Sequence, residues 1–327
     1  MKRYANGKSL SISLFLAAIL FCALVGPALA AEGAASSYTP GTYGEFSMNY
    51  AQPGVYVREN VVYVTGTVDN YPYQPGIEFN LDQTTWFNLL AITYVSEKKL
   101  LGGNYFCVAN IPYGFSAEID VDVEVLNQPF QSTEDRASGL GDIQVTPIGL
   151  MWHSGYFHFT LAENVVLKTG EYDANEAINM GRNYYSYETL FGMTWLHEKG
   201  GHEISFLAGY MLNEKNKDTD YRTGDEFHID ATVAQYFSES FGIGVVGYYY
   251  KQMTDDESPN LDLIDANNPF LGLPAADGYR SEGAGMGPAL MWSPAKNFQI
   301  IAKWITEFGA ENRFEGDWGF LSANIKF

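Results

Sequence analysis

Cysteine is nearly absent from this chain of 327 residues, which has only Cys22 and Cys107. Cys22 lies in an apolar run from Leu10 to Val25 that follows Lys2, Arg3 and Lys8 and leads into Pro27-Ala28-Leu29-Ala30. A basic start, an apolar stretch and small residues at the peptidase positions read as a signal peptide over residues 1–30, cleaved after Ala30. Cys22 also raises lipidation, but Phe21 before it is too large for a lipoprotein cleavage site. Export would leave Cys107 alone, so no internal disulfide can staple the fold. Basic residues are scarce as well. Without Lys2, Arg3 and Lys8, 16 of the 19 Lys and Arg remain against 39 Asp and Glu, a net charge near −23. Such a chain cannot neutralise phosphates, which argues against nucleic acid as a partner. Nor does it suit a peripheral protein held by anionic lipid. Beyond residue 30 there is no apolar run of about 18 residues, so a membrane-spanning helix is excluded.

What the chain does have is aromatic residues, 15% of the total, and 33 glycines. It also has period-2 alternation. In 317–327, Leu321, Ala323, Ile325 and Phe327 fall on one face and Ser322, Asn324 and Lys326 on the other. Apolar outside and polar inside at this spacing is the division of a membrane barrel strand. Residues 298–308 oppose Phe298, Ile300, Ala302, Trp304 and Phe308 to Gln299, Lys303 and Glu307, and residues 226–237 repeat the pattern with His228 and Asp230 on the polar side. Residues 107–125 keep one parity throughout, setting Glu118, Asp120, Asp122 and Glu124 against ten apolar residues from Cys107 to Val125, with Pro112 and Gly114 marking a bulge or bend.

Twelve strands are expected, at about 55–65, 85–95, 104–125, 140–152, 156–168, 184–197, 202–213, 226–237, 242–252, 282–292, 298–309 and 316–327. Their connections alternate between short turns and the longer or more polar stretches 66–84, 126–139, 169–183, 214–225, 253–281 and 310–315. That alternation predicts an all-β, up-and-down antiparallel transmembrane barrel with short periplasmic turns and long extracellular loops. Residues 31–54 would be an N-terminal periplasmic segment and 55–327 the barrel in the outer membrane, in contact with its lipid. Trp152, Trp195 and Trp292 sit near short turns and Trp86 and Trp318 near long loops, as two interfacial girdles require. Trp304 falls mid-strand, and Trp152 shares parity with Asp142 and Gln144, which demands a bulge or an inward Trp. A periplasmic β-sandwich, the soluble competitor, would not alternate its loops in this way.

Several stretches resemble one family. They are Gly139-Leu140-Gly141-Asp142-Ile143 with Pro147, Lys168-Thr169-Gly170-Glu171-Tyr172-Asp173, Gly181-Arg182-Asn183-Tyr184-Tyr185-Ser186, the long run Asn213 to His228, Gly247 to Gln252, and Gly287-Pro288. Together they are similar to the outer-membrane proteins named for a meta-pathway of phenol degradation, over nearly all of the chain beyond residue 30. The family usually has Pro where Lys168 stands. The resemblance implies a barrel for uptake of small hydrophobic or aromatic compounds, not a pathway enzyme, and carries over no catalytic or binding residue. A closing strand ending in Phe327 also resembles the signal read by the barrel-assembly machinery.

Other constellations weaken on inspection. His197-Glu198-Lys199-Gly200-Gly201-His202 spaces its histidines by five and reads as a turn, where the metalloprotease motif needs four on a helix. Gly283-Ala284-Gly285-Met286-Gly287 lacks the Lys-Ser/Thr and helix of a phosphate loop. A lipid-acting enzyme would need a Ser/His pair at the rim, and none is legible. Neither metal nor cofactor is called for. The lumen-facing candidates are Glu118, Asp120, Asp142, His228, Asp230, Lys303 and Glu307. Carboxylates in a lumen would favour cations, though a strand of this length also presents acids to water above the membrane. In the loop 214–225, Asp220, Tyr221, Gly224 and Asp225 are candidates for a gate or surface cation site, without EF-hand spacing. The expected role is a passive channel for a small-molecule solute, with a non-conducting structural or adhesive barrel as the alternative.

Overall fold

The computed structural model describes residues 36–74, 77–125, 128–176, 178–259 and 280–327. The signal-peptide expectation and most of the 253–281 connection lie outside them. The strands are β1 Gly54–Gln74, β2 Ile77–Leu100, β3 Gly103–Val125, β4 Gln128–Leu140, β5 Gln144–Ser154, β6 Phe157–Val166, β7 Ser186–His197, β8 His202–Asn213, β9 Glu226–Ser238, β10 Phe241–Gln252, β11 Glu282–Ala295, β12 Phe298–Glu311 and β13 Glu315–Lys326. Each pairs antiparallel with its neighbour, and β13 returns to β1 from Tyr56↔Lys326 to Thr67↔Glu315. β3 has two partners along one edge: β5 over Asn104–Asn110 and β4 over Tyr113–Val125. β4 and β5 therefore share one position in the wall, interrupted at residues 141–143, and the barrel closes with 12 strands. The ring formed through β5 closes on itself, which is what a sheet in hydrocarbon requires, while β4 pairs with β3 alone.

Two stretches expected as loops are strands. Residues 66–84 continue the β1–β2 hairpin up to Gln74↔Ile77, and residues 128–140 form β4. Their inner face explains why. Leu81 and Phe314 are buried there, with Val68, Ile119 and Val121 packed against them. Paired strands with an apolar inner side have reason to persist above the membrane.

The acidic stripe of β3 also falls on the other side from that expected. The register pairs Gly114 with Phe87 and Ser116 with Trp86, so Phe115 is the extra residue of a bulge. A bulge exchanges the faces of everything beyond it. Below it Tyr113 and Phe115 are exposed on the lipid side, whereas above it Ala117 is buried and Ile119 and Val121 turn inward. Glu118 and Asp120 accordingly face away from the lumen. Asp82, Asp120 and Glu134 are direct cross-strand neighbours there, and Arg136 offsets part of the charge through Glu134 and, at 3.7 Å, Glu118.

A second bulge, between Val145 and Ile148 of β5, resolves the conflict at Trp152. It leaves Thr146 and Met151 inward and Trp152 outward, with its indole donating to Leu101 O at 3.1 Å. Trp304 finds its place as well. Its ring lies 6.1 Å from Tyr63, which lies 4.7 Å from Trp86, an outward aromatic row across β12, β1 and β2. That row belongs to the upper girdle and Trp292, half exposed near the Lys296–Asn297 turn, to the lower.

Candidate functional site: a filled lumen and the cavity above it

The stretch expected in the periplasm runs, over residues 36–50, inside the barrel. It has no strand alternation of its own; turns carry it, with Gly41 at φ +75° and Ser47 at φ +55°. What seats it is the polar inner wall. At the lower end the Tyr50 ring lies 4.3 Å from His158, which faces His153 with Nδ1 atoms 2.9 Å apart. Asn49 donates from N and Nδ2 to Thr194 Oγ1, both at 3.3 Å, and from Nδ2 to Phe206 O at 2.9 Å. It fits because residue 192 is glycine; any Cβ there would collide with the Asn49 side chain. Ser47 N donates to Glu203 Oε1 at 2.7 Å, and Tyr236 OH donates to Oε2 of the same carboxylate at 2.5 Å.

Higher up, Glu45 pairs with Arg58, and Lys303 Nζ donates to three carbonyls of the segment: Gly41 at 2.6 Å, Gly44 at 3.0 Å and Thr42 at 3.3 Å. Asp230 accepts from Gly44 N at 3.2 Å and from Tyr38 OH at 2.7 Å. Tyr38 stacks on His228 with centroids 3.8 Å apart, and His228 Nε2 is 2.6 Å from Glu188 Oε1. At the top, Ser36 Oγ donates to Glu226 Oε2 at 2.6 Å. Glu188, Glu203, Glu226 and Asp230 are all buried. Buried carboxylates need partners, and removing those partners is costly. The segment is therefore an integral filling of the lumen, sealed by Tyr38 and Phe46 within the apolar cluster around Val246, Tyr250, Ile301 and Phe320.

Above Tyr38 the barrel holds a cavity of about 440 Å³. Ser36 to Pro40 form part of its floor; Val64, Phe87, Leu89, Ala117 and Ile119 form an apolar wall on β1–β3; Tyr172, Ile178, Met180 and Arg182 close one side and Arg313, Phe314 and Trp318 another. The residue placements follow from this. His228, Asp230 and Lys303 point inward and hold the segment. Glu307 points inward and is engaged by Arg313 Nη2 and Gly316 N, each at 2.9 Å, and by Tyr248. Asp142 is no strand residue of an open lumen. It sits at the β4–β5 interruption and accepts from Thr169 N, Gly170 N and Arg182 N at 2.9, 2.8 and 2.6 Å. It thereby ties the 167–183 loop into the wall, where Gly170 and Gly181 meet so closely that a Cβ on either would strike the other's backbone. In the same loop Asn175 donates twice to Asp173, holding that carboxyl below its ordinary range.

Tyr221, Gly224 and Asp225 form a clamp between two loops, while Asp220 is held within its own. Tyr221 OH and Gly224 N both donate to Asp256, at 2.5 and 2.8 Å, and Asp225 N to Thr254 Oγ1 at 2.7 Å. Asp220 pairs with Lys215 and Asp225 with Arg222. His197 and His202 stack across a hairpin turn, as their spacing implied. Glu188, Glu203, Tyr38 and Asn49 were not legible as site residues. The available signal was Glu188 and Glu203 standing on otherwise regular strands, acids that a lumen must neutralise.

A closed antiparallel barrel with an apolar, aromatic-belted exterior and a polar interior is an outer-membrane β-barrel protein. Residues 64–322 match the family described as "Putative MetA-pathway of phenol degradation", and the chain belongs to that family. Among solved structures it resembles the COG4313 outer membrane channel from Pseudomonas putida F1, at 13% identity and a TM-score of 0.65, over 89% of this chain and all of that one. A looser likeness links it to the β domain of the Bordetella autotransporter Brka, at 8% identity and a TM-score of 0.43 over 84% of this chain and 99% of that one. No curated protein matches the chain.

Proposed function

We propose that this barrel is a passive outer-membrane channel for small hydrophobic or aromatic molecules, not an enzyme, and that the segment 36–50 is its internal stopper. The observation that carries the reading is the apolar-walled cavity of about 440 Å³ directly above that segment. It lies within the range of small-molecule sites, predominantly apolar with a few polar groups. The similar barrel from Pseudomonas putida F1 is described as an outer membrane channel, which supports the same role here. In this reading residues 1–30 export the chain. Assembly machinery reads β13 together with Phe327 just after it, whose N–H donates to Val55 O at 2.8 Å. The test is uptake of aromatic compounds by a deletion strain and by the strain restored with the gene. Equal uptake in both would refute transport.

The filled lumen favours a second reading, a structural or adhesive barrel that conducts nothing. It predicts no permeation in planar bilayers even when residues 36–50 are displaced.

A further inference from the structure

Among the described residues, five charged side chains line the cavity: Asp142, Glu176, Arg182, Glu307 and Arg313. Asp142 and Glu307 are buried, and each is surrounded by donors. Asp142 has three backbone N–H groups, and Glu307 has Arg313, Gly316 N and the Tyr248 hydroxyl. Arg182 is engaged as well, and Glu176 is exposed on its loop, where water and salt screen its charge. Arg313 differs from all four. It stands in the turn between β12 and β13 and keeps 12% of its side chain exposed. Its hydrogen-bond acceptor among the described residues is Glu307, reached by Nη2 at 2.9 Å. A guanidinium carries five N–H groups, and that pairing accounts for only part of them. The second contact positions the group without satisfying it, since the guanidinium lies 5.1 Å from the centroid of the Tyr250 ring. An arginine held on two sides, with N–H groups to spare at a cavity wall, is preorganised to receive an acceptor from inside the cavity.

We propose that the cavity binds aromatic carboxylates, with the ring against Val64, Phe87, Leu89 and Ile119 and the carboxylate on Arg313. Hydrogen bonds between arginine and a carboxylate are charge-assisted and stronger than neutral ones, and the planar guanidinium suits a planar two-oxygen group. Glu307 does not forbid a second carboxylate on the same arginine, because Gly316 N and the Tyr248 hydroxyl share its charge. The size allows it, since a dry cavity of about 150 Å³ already takes one benzene ring. A ring without an acceptor enters but leaves the spare N–H groups of Arg313 unmatched. This rests on the reading of the barrel as a passage for small molecules and adds the chemistry of what it holds.

The experiment uses the full chain refolded into nanodiscs, with calorimetry as readout. The probes are benzoate and its neutral isostere nitrobenzene, whose oxygens are weak acceptors. Glu307→Gln with Arg313→Gln removes one charge of each sign and leaves the net charge of the wall unchanged. Expected is a loss of about tenfold or more in benzoate affinity, the range of a hydrogen bond to a charged group, with nitrobenzene changed by less than about threefold. Glu307→Gln alone frees Arg313 from its partner and is expected to tighten benzoate and not nitrobenzene. Unchanged benzoate binding in the double variant, or equal losses for the two probes, would overturn the proposal while leaving a passage for aromatics standing. A wild type that binds nitrobenzene and not benzoate would do the same. No binding of either probe to the wild type would overturn both. If the double variant does not fold, Glu307→Gln decides: benzoate affinity no higher than in the wild type overturns the proposal.

Discussion

Lys303→Met tests the stopper at a buried, charged attachment. The ammonium donates to the carbonyls of Gly41, Thr42 and Gly44 and lies 4.4 Å above the Phe320 ring. Hydrogen bonds from a charged donor contribute about 1.5–3 kcal/mol each. Dehydrating the ammonium costs several kcal/mol and offsets much of that sum. Methionine fills the volume but donates nothing, so the seated state loses about 2 kcal/mol net relative to the displaced one. That corresponds to roughly a 30-fold change in their ratio. A displaced population of about 1% would rise to about a fifth or a quarter, within the range in which minor states become functional. Single-channel recording in planar bilayers reads this as open probability, and labelling of a cysteine at position 47, in a Cys107→Ser background, reads it as exposure. Both should rise together. If both stay at the wild-type level, Lys303 does not hold the segment, and the energetic reasoning fails.

Three further outcomes follow from the same geometry. Asp142→Ala strips the partner from three backbone N–H groups and should expose the 167–183 loop to protease, with nicks near residues 173–180 and the barrel core intact; an uncut loop would contradict its anchoring role. Glu118→Gln with Asp120→Asn should leave cation selectivity unchanged, because both carboxylates face away from the lumen; a reduced preference, read as a shifted reversal potential, would place them inside. Gly192→Val should unseat Asn49 and raise open probability as Lys303→Met does, while Gly155→Ala, in an open turn, should change nothing in the same recording.

The barrel was legible because its lipid-facing side imposes period-2 alternation and its turns impose length. β7 to β13 keep that alternation, and their boundaries fall within a few residues of those expected. β3 misled for a physical reason. Its apolar parity runs unbroken through residue 125, but the bulge at Phe115 changes what the apolar side touches, from lipid below to the cavity above. Period alone cannot distinguish two apolar surroundings. The interior segment was illegible for another reason. Residues 36–50 have neither period nor apolar run, and their meaning lies in long-range partners such as Glu188, Glu203 and Asp230. Tyr38, Tyr43, Phe46 and Tyr50 in so short a stretch were the one local sign that it is buried.

The most direct test locks the segment to the wall. Thr194 Oγ1 lies 3.3 Å from both Asn49 N and Nδ2, so cysteines at 49 and 194, with Cys107 replaced by serine, are placed to cross-link. Permeation of aromatic solutes into liposomes is measured for the oxidised and the reduced protein. The account predicts permeation when reduced and none when oxidised. Equal permeation in the two states would show that solutes do not pass where the segment lies, and none in either would make this a barrel that conducts nothing.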